Sequence, residues 1–542
     1  MDNTEEKLPP FSARKQAVSN PYTPLIYALI LSFGVVLGFA VNSITSGKQT
    51  MLSESYDKIE DILNYVDQKY VDTINRNPLM DKTIDNMMAN LDPHSVYIPA
   101  TDVSEANEGL EGNFEGIGIE FFIVQDTITV VTAISGGPSE LVGVKAGDRI
   151  IKIEDSIVAG VKIKDTEVKH RLRGAKGTKV KVTVLRSGSK KLIDFDISRD
   201  KIPLYSIDAA YMMNTDIGYI RINQFSATTH QEFAEKLRYL QGKGMAKLII
   251  DLRGNPGGYL QAATSIADEL ISGEKLLVYT NGKAYDRQDY KASKDGLFEK
   301  GALCVLIDQG SASASEILAG AMQDWDRGTI IGRTSFGKGL VQEQYELQDR
   351  SAIRLTVARY YTPSGRCIQR SYEMGSEEYY NEIYDRYARG EFVHEDSINS
   401  KDTTVYQTSK GKRVFGGGGI RPDVFVPVDT SANNDYFYAV RSFVPEFVYK
   451  YSSKHADVLE KYKTIDDFKK NFIVTAELVN EFYQYTEEVG LKRDALKEKR
   501  AEEKLEIYLK AFFAKQIWRM DGFYNIANTD DKVIDKAIET LK

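Results

Sequence analysis

Cysteine is almost absent from this sequence: Cys304 and Cys367 are the two among its 542 residues. Two cysteines make neither a disulfide framework nor a zinc site. Cys304 lies in the apolar run 302–307, and we expect it to be a small buried residue. The five histidines are scattered along the chain without the spacing of metal ligands. The sequence therefore carries none of the usual signs of a metal centre.

An excess of basic residues is also lacking. The formal net charge is -8 at pH 7, and the pI is near 5.5. A nucleic-acid-binding protein usually presents a strongly basic surface, so the composition favours no nucleic-acid partner. The chain is too long for one ordinary domain, and three or four structural units are expected.

Charged residues are missing between Lys15 and Lys48, and residues 25–41 are almost entirely apolar. With its flanks this segment reaches about 20 residues, enough to cross a bilayer. Arg14 and Lys15 favour an N-terminus in the cytoplasm. A cleaved signal peptide is the alternative, but the leading segment is long and has no Ala-x-Ala site. We expect a short cytoplasmic segment at 1–24, a signal anchor at 25–45, and the rest outside the cytoplasm.

Beyond this segment the hydrophobic pattern changes several times. Helical spacing predicts an N-terminal helical region, short alternating strands predict a β-rich domain, and alternating strands and helices predict an α/β core. A polar, tyrosine-rich stretch is interpreted as an inserted loop or partly ordered excursion. Lysine- and glutamate-rich helices follow, with a predicted cap at Thr464. The N-terminal helical region is predicted at 46–100, the β-rich domain at 104–200 and the α/β core at 201–370. The polar stretch covers 371–411, the core resumes over 412–430, and the final helices cover 431–542.

The stretch 332–338 reads Gly-x-x-x-x-Gly-Lys, which resembles a phosphate-binding loop. That loop requires a Ser or Thr after the lysine, and here the next residue is Gly339. The residues that follow favour an extended segment over a helix. Nucleotide binding is therefore disfavoured. Lys338 is then either a solvated turn lysine or a buried one, and burial would disfavour its charged form.

A second stretch supplies a candidate nucleophile. Small residues at 310–315 follow the apolar strand 302–307, and helical spacing begins at Ile317. Ser313-x-x-Glu316 fits a capping box, so Ser313 can be an ordinary helix cap. A serine at a helix N-terminus also has backbone N–H groups that suit a developing oxyanion. Such a nucleophile needs a base, and Lys338 is the better candidate because no histidine lies near either stretch in sequence.

Several separated motifs, in order, resemble those of the carboxy-terminal processing proteases, the tail-specific family of Ser-Lys serine proteases. They span residues 55 to 427, approximately. The matching runs are Leu91-Asp-Pro-His-Ser95, Asp251-Leu-Arg-Gly-Asn-Pro-Gly-Gly258, Gly310-Ser-Ala-Ser-Ala-Ser-Glu-Ile317, Ala319-Gly-Ala-Met-Gln-Asp324, Thr334-Ser-Phe-Gly-Lys-Gly-Leu-Val-Gln342, Tyr361-Thr-Pro-Ser-Gly-Arg366 and Gly419-Ile-Arg-Pro-Asp423.

The resemblance implies a role for each matching site residue. Ser313 is implied to be the nucleophile, Lys338 its general base, and Gln342 the residue that orients the lysine. The backbone N–H groups of Ala314 and Gly258 are implied to form the oxyanion hole. If 338 and 342 share a strand, their side chains lie on the same face, and the Gln342 amide can then reach the amine.

The resemblance also implies a multidomain α+β fold. Its α/β protease core is of the crotonase-like or ClpP-like class and carries an inserted PDZ domain, flanked by the membrane anchor and a helical C-terminal extension. The expected carboxylate-binding loop of the PDZ domain is Gly116-Ile117-Gly118-Ile119. Exposed N–H groups there can bind a C-terminal carboxylate while an extended peptide adds to the sheet edge. For this short string alone, the favoured interpretation is a β-domain that only stiffens the enzyme, since such strings are common.

We therefore expect a serine endopeptidase that binds and cleaves substrate proteins at their C-terminal tails. By analogy it needs no cofactor and sits in the bacterial inner membrane with its catalytic part in the periplasm. A homo-oligomer or a lipoprotein-type adaptor is a possible partner. The main alternative is an inactive PDZ-containing scaffold of the same fold. Nucleotide binding at 332–339 is the third hypothesis, and it predicts stabilisation by ATP.

Overall fold

The computed structural model describes residues 22–293, 295–397, 404–430 and 435–542. Within these ranges it describes all side chains except those of 23, 24, 38–56, 435, 456 and 457. The chain forms two compact units, Met1–Lys82 and Thr83–Lys542. Most of the predicted cytoplasmic segment, residues 1–21, lies outside the described residues.

The first unit contains α1 (Thr23–Lys69), and α2 (Arg76–Ala89) begins within it. An ion pair of 3.4 Å joins Arg76 to Asp67 near the end of α1. Across the side chains that the structure describes, no helix has the length and apolar character needed to span a membrane. The predicted anchor at 25–45 includes residues 38–45, whose side chains lie outside that set, so the anchor stays a prediction.

The β-rich domain is built on one antiparallel sheet in the order β3-β4-β5-β7-β8, with β6 paired to β5. Alternating valines in β7 place Val180, Val182 and Val184 in its core. A separate pair, β2 with β9, lies where the chain enters and leaves this domain. The elements between α2 and the α/β core are β1 (Val96–Ile98), which pairs with a strand of that core, α3 (Val103–Glu111), β2 (Asn113–Gly116), β3 (Ile119–Val124), β4 (Thr127–Ala133), α4 (Pro138–Val142), β5 (Arg149–Ile153), β6 (Ser156–Ile157), α5 (Asp165–Leu172), β7 (Lys179–Leu185), β8 (Leu192–Ser198) and β9 (Asp200–Pro203).

The α/β core contains a six-stranded sheet in the order β10-β11-β12-β15-β16-β21. All neighbours are parallel except β10 with β11. A second sheet runs β1-β18-β13-β14, with β17 paired to β18. The elements are β10 (Ile207–Met212), β11 (Ile217–Ile222), α6 (Thr229–Gly242), β12 (Lys247–Asp251), α7 (Leu260–Asp268), β13 (Leu276–Gly282), β14 (Gln288–Lys291), β15 (Leu303–Ile307), α8 (Ala314–Asp324), β16 (Thr329–Gly332), β17 (Leu340–Glu346) and β18 (Ala352–Tyr361), with β21 (Val424–Phe425) returning later in the chain.

The central strands of the parallel sheet are buried on both faces, as continuous apolar runs predict. Side chains of α6, α7 and α8 form one core with one face of the sheet. The other face packs against α16 (Lys532–Thr540) at the C-terminal end of the chain. Cys304 is fully buried on that second face, as expected from its sequence context. This arrangement leaves the carboxyl ends of the strands free to carry a site.

The polar segment 371–411 is more regular than the sequence predicted. It forms α9 (Ser376–Ala388), a short 3₁₀ turn (Glu395–Ser397) and strand β19 (Val405–Gln407), which pairs in a hairpin with β20 (Arg413–Phe415) just beyond the segment. The prediction of a loop or partly ordered excursion is therefore wrong for the described residues. Tyr379 and Arg386 of α9 are both buried, so the helix packs against its surroundings although most of its residues are polar.

Helices make up the rest of the described chain, which confirms the predicted helical extension. They are α10 (Asp435–Arg441), α11 (Val444–Lys454), α12 (Ala456–Glu460), α13 (Ile465–Asn471), α14 (Ala476–Glu488), α15 (Ala495–Ala527) and α16, with a 3₁₀ turn at Asn528–Asp530. The Thr464 side chain caps α13 by accepting the N–H of Asp467, as predicted. Residues of α10 to α15 share an aromatic-rich core of their own.

Candidate active site

Two neighbouring strands bring the candidate nucleophile and the glycine turn together. Strands β12 and β15 are parallel and paired, and each ends in a loop at the same edge of the sheet. The first loop is 252–259, and the second leads to Ser313 at the N-cap of α8. Ser313 has φ 55° and ψ -113°, a backbone conformation that non-glycine residues rarely adopt. Strain of this kind is concentrated at functional sites.

Asn255 ties the two loops to each other. Its carbonyl oxygen accepts the N–H of Ala312 at 3.0 Å and the hydroxyl of Ser315 at 3.0 Å. Its side chain accepts the N–H of Gly257 at 2.8 Å and donates to the carbonyl of Ile222. The position of Ser313 is therefore fixed relative to the glycine turn by bonds on both sides of it. Asn255 belongs to a motif that the sequence singled out, but its role as a link did not emerge from it.

The glycine turn lies directly against the candidate nucleophile. A Cβ on Gly257 would stand 2.8 Å from the Ser313 Cβ and 2.9 Å from the Ala314 nitrogen, and its φ is +99°. A Cβ on Gly258 would stand 2.0 Å from the Phe225 carbonyl oxygen. Glycine is therefore required at both positions by space as well as by backbone conformation.

Gly258 forms an isolated parallel bridge with Phe225. The bridge uses the carbonyl of Gly257 and the N–H of Tyr259, which leaves the Gly258 N–H outside the pairing. The turn thus lies beside Ala314, and the Gly258 N–H takes no part in the bridge. The assignment of the Gly258 and Ala314 N–H groups to an oxyanion hole stays a prediction.

Lys338 and Gln342 meet as predicted, but for a different reason. The lysine Nζ donates to Gln342 Oε1 at 2.8 Å. Strand β17 begins only at Leu340, and its pairing with β18 is irregular between Val341 and Gln342. The contact therefore joins a loop residue to a strand residue, rather than two residues on one face of a strand. The Gln342 Nε2 in turn donates to the carbonyl of His94, which holds the amide in place.

The environment of Lys338 favours its neutral amine. Burial lowers the pKa of Lys338 to about 8, and the nearby charge of Arg354 acts in the same direction. An amine with this pKa is partly deprotonated near neutral pH, so its lone pair is available to accept a proton. The solvated turn lysine considered above is therefore not what the structure contains.

Glu316 connects the candidate nucleophile to the candidate base. Its Oε2 accepts the backbone N–H of Ser313 and that of Lys338, each at 2.8 Å. Its Oε1 accepts the Ser335 hydroxyl at 2.5 Å and the Gly337 N–H at 2.7 Å. Burial raises the pKa of Glu316 to about 7, while these donors favour the carboxylate. The sequence identified Glu316 only as a helix cap.

Tyr360 makes a second connection between the same two residues. Its hydroxyl lies 2.7 Å from the Lys338 carbonyl oxygen and 3.1 Å from the Ser313 carbonyl oxygen. The side chain is almost completely buried at 1% exposure, so the hydroxyl is shielded from competing water. Sequence reasoning missed Tyr360, although it immediately precedes the motif that begins at Tyr361.

A histidine does reach the site. His94 lies close enough to Lys338 for the two charges to interact, and its Nε2 is 3.0 Å from the Tyr379 hydroxyl. Burial lowers the pKa of His94 to about 3, with the Lys338 charge as the next contribution. A group with so low a pKa is a weak proton acceptor near neutral pH. Lys338 is therefore better matched to the work of a general base.

The phosphate-loop hypothesis finds no support in this geometry. Strand β16 ends at Gly332 and the chain continues into β17, so the loop does not open a helix. The N–H groups of Gly337 and Lys338, which a phosphate would need, donate to Glu316 instead.

The predicted peptide-binding loop leads into β3, which is the edge strand of the β-rich sheet. Gly116, Ile117 and Gly118 are buried and Ile119 is half-buried. The carbonyl of Ile117 accepts from Ser139, and that of Gly118 accepts from Ile134. In a trans peptide the N–H points away from the preceding carbonyl, so the N–H groups of Gly118 and Ile119 face the opposite side. This is the arrangement that capture of a carboxylate beside an edge strand requires.

Replacing Gln342 by leucine is expected to lower kcat for peptide cleavage about 10-fold with little change in KM, because the amine loses the partner that orients it. The measurement is steady-state cleavage of a peptide, with Gln288→Leu as the matched control at an exposed glutamine of strand β14. Equal activity in the two variants would remove Gln342 from the site.

Three regions of the chain match models of known protein families. The model of peptidase family S41 matches residues 216–375, and that of the PDZ domain matches residues 116–197. A family of unknown function, DUF8443, matches residues 436–519.

Two curated relatives are each 36% identical to the chain. The carboxy-terminal-processing protease of Bartonella bacilliformis matches 60% of this chain and 75% of its own length. The carboxy-terminal processing protease CtpB of Bacillus subtilis matches 58% of this chain and 66% of its own length. Among solved structures, the photosystem II D1 C-terminal processing protease aligns with 69% of this chain and 87% of its own at 25% identity, with a TM-score of 0.36. The chain therefore belongs to peptidase family S41 as a serine protease that carries a PDZ domain.

Proposed function

We propose that the chain is a carboxy-terminal processing endopeptidase in which Ser313 and Lys338 form the catalytic dyad. One observation carries the proposal: Glu316 binds the backbone N–H groups of both residues, and the Tyr360 hydroxyl contacts the backbone carbonyl oxygens of both. Nucleophile and base are thus held as one unit by two buried side chains. Burial of the Lys338 amine lowers its pKa, so part of the amine is neutral near neutral pH and can accept the serine proton.

The reaction follows from these positions. Ser313 Oγ attacks the scissile carbonyl carbon, and its proton passes to Lys338 Nζ. The electron pair of the carbonyl moves onto its oxygen, where the N–H groups of Ala314 and Gly258 stabilise the charge. Collapse breaks the C–N bond, and the leaving amine takes the proton from the Lys338 ammonium. A water molecule then gives a proton to Lys338 and attacks the acyl ester, and the Lys338 ammonium returns that proton to Ser313 Oγ as the acid product leaves.

The PDZ domain supplies the substrate preference in this proposal. The N–H groups of Gly118 and Ile119 bind the carboxylate of a substrate tail, with Gly116 and Ile117 shaping the loop. The tail extends the sheet along β3. Apolar groups beside that edge, such as Phe121 and Ile123, favour apolar residues at the end of the tail.

We also propose a membrane location, a class for the protease core and a partner for the chain. The apolar segment 25–45 anchors the chain in a bacterial inner membrane, with the protease on the periplasmic side, because basic residues precede it. The core is of the crotonase-like class. An adaptor lipoprotein or a second copy of the chain is the proposed partner, and no cofactor takes part in the chemistry.

The proposal is tested by incubating the full chain with an unfolded protein that ends in apolar residues, and with the same protein ending in two aspartates. Wild-type protein is expected to cleave the first substrate about 10-fold more efficiently, since a charged tail cannot bury its end in the groove. Ser313→Ala is expected to cleave neither. Cleavage that ignores the tail would contradict the PDZ assignment, and cleavage by Ser313→Ala would contradict the nucleophile.

The pH profile gives a second test. We expect kcat/KM to rise with pH through an apparent pKa of about 8, because protonated Lys338 cannot accept the serine proton. Below pH 7 the fall steepens, because protonation of Glu316, with a pKa of about 7, removes an acceptor from the Ser313 and Lys338 N–H groups. The profile is measured from about pH 5 to about pH 10 with a peptide that does not titrate in that range. A profile that is flat from about pH 6 upwards would contradict a lysine base.

A further inference from the structure

The C-terminal extension, residues 431–542, has no assigned role, and the family matching most of it is of unknown function. Its last helices pack on the protease core. Ile534 and Ala537 of α16 are buried against the far face of the parallel sheet. The Asp521 carboxylate accepts the backbone N–H of Ala210 in β10 at 2.7 Å. The extension is therefore part of the protease unit in the structure, and its contacts with the site can be followed residue by residue.

One contact of the extension reaches the start of the glycine turn. The guanidinium of Arg253 is bound bidentately by Asp251, with Nε 2.9 Å from Oδ1 and Nη2 2.6 Å from Oδ2. Its remaining nitrogen, Nη1, donates to Asp531 Oδ2 at 2.7 Å. Asp251 is fully buried and the Arg253 side chain is 15% exposed, so water competes little with these bonds. Arg253 is thus held between one carboxylate of the core and one of the extension.

A second arginine repeats the pattern. Arg221 donates from Nη2 to the carbonyl of Arg253 at 2.8 Å, so it fixes the backbone at the start of the same turn. Its guanidinium lies over the ring of Tyr524, 4.7 Å from the centroid. Tyr524 belongs to α15 in the extension. Both arginines that hold the start of the turn therefore contact the extension.

The glycine turn links Arg253 to the residues around Ser313. Two residues after Arg253, Asn255 accepts from Ala312 and Ser315 on either side of Ser313. Gly257 and Gly258 follow at once, with Gly257 in contact distance of Ser313 and Ala314. A shift of Arg253 is therefore transmitted to the N–H groups beside the nucleophile through covalent bonds and a few buried hydrogen bonds.

We propose that the extension positions the oxyanion turn of the protease, with Asp531 as the positioning residue that acts through Arg253 and Tyr524 as its support through Arg221. The inference rests on the proposed function of that turn. It means that the extension must be docked before the Gly258 N–H reaches its working position. The extension thereby contributes to the transition state rather than to substrate binding.

Asp531 allows a clean test, because its two oxygens have different partners. Oδ1 caps α16 by accepting the N–H groups of Val533 and Ile534, and Oδ2 binds Arg253. Asparagine is as good a helix cap as aspartate. Asp531→Asn therefore keeps the cap and removes the charged partner of Arg253. Asp535→Asn is the matched control, since Asp535 is an exposed acidic residue one turn further along α16.

The experiment uses the full chain with both substitutions and with Tyr524→Leu as an independent second variant. Amide hydrogen exchange of residues 253–259 is measured first, because it needs no activity. We expect faster exchange in Asp531→Asn and in Tyr524→Leu, and wild-type exchange in Asp535→Asn. Thermal unfolding of each variant is followed alongside to confirm folding.

Kinetics provide the second measurement. We expect Asp531→Asn to lower kcat about 10-fold with unchanged KM, and to weaken binding of a peptide boronic acid, whose adduct places an oxygen in the oxyanion hole, by the same factor. Unchanged exchange at 253–259 would overturn the inference, and so would equal losses of kcat and stability in Asp531→Asn and its control. If wild-type activity does not depend on Ser313, the proposed function fails, while the exchange result still decides whether the extension holds the turn.

Discussion

Replacing Lys338 by methionine is expected to lower kcat/KM for tail-dependent cleavage by about 10⁴-fold while the protein stays folded. Methionine has a similar length and no proton-accepting group, so it fills the same space without serving as a base. The folded state should not lose stability, because burial already disfavours the charged lysine and lowers its pKa to about 8. The measurement is steady-state cleavage together with thermal unfolding of the same preparations.

The chain offers a matched control for this variant. Lys243 also lies between two glycines, at 242–244, but it is exposed and precedes β12, at the opposite end of that strand from the glycine turn. Lys243→Met should therefore retain wild-type cleavage. A Lys338→Met protein with more than about a tenth of wild-type activity would show that another group takes the serine proton, and His94 would be the next residue to test.

The second large effect is expected at Glu316. Its carboxylate accepts four donors, two of which are the backbone N–H groups of Ser313 and Lys338. Glu316→Gln replaces one oxygen by an amide nitrogen, so two buried donors face another donor and lose charge-assisted bonds. We expect the free energy of unfolding to fall by about 3 kcal/mol. A small displacement of the dyad should lower kcat about 100-fold.

The two effects are separated by measuring chemical denaturation and cleavage on the same protein at a temperature where it is folded. Glu477→Gln is the control, because Glu477 also occupies the first turn of its helix but is exposed. In Glu316→Gln the steepening of the pH profile below pH 7 should also disappear, leaving the limb set by Lys338. If folded Glu316→Gln cleaves at the wild-type rate, the carboxylate has only a structural role.

The sequence predicted the site where local pattern and motif agree. The apolar strand 302–307, followed by a serine-rich loop, located Ser313, and the family-like motif 251–258 located the glycine turn. These features depend on neighbours in sequence, and short-range patterns determine them.

Contacts between distant residues could not be predicted in this way. Glu316 is 22 residues from Lys338, Tyr360 is 47 residues from Ser313, and Asp531 is 278 residues from Arg253. No periodicity links such pairs, because they meet only when separate strands and helices pack. Glu316 was visible as a helix cap, but its other three hydrogen bonds depend on where the loop 335–338 lies.

The prediction of a loop at 371–411 was wrong for a similar reason. Its tyrosines and charges indicate a solvated loop when each residue is considered alone. In the folded chain, Tyr379 is enclosed by His94, Phe336 and the guanidinium of Arg370. The helix is ordered by partners that the local sequence does not contain.

The central claim is that Ser313 is a nucleophile activated by Lys338, and covalent trapping tests it most directly. Wild-type protein, Ser313→Ala and Lys338→Met are each treated with a fluorophosphonate over a series of pH values, and the modified residue is located by peptide mass analysis. We predict one adduct, on Ser313, whose rate of formation rises with pH through about 8 and falls at least about 10³-fold in Lys338→Met. An adduct on another residue, or a rate on Ser313 that is the same without Lys338, would contradict the account.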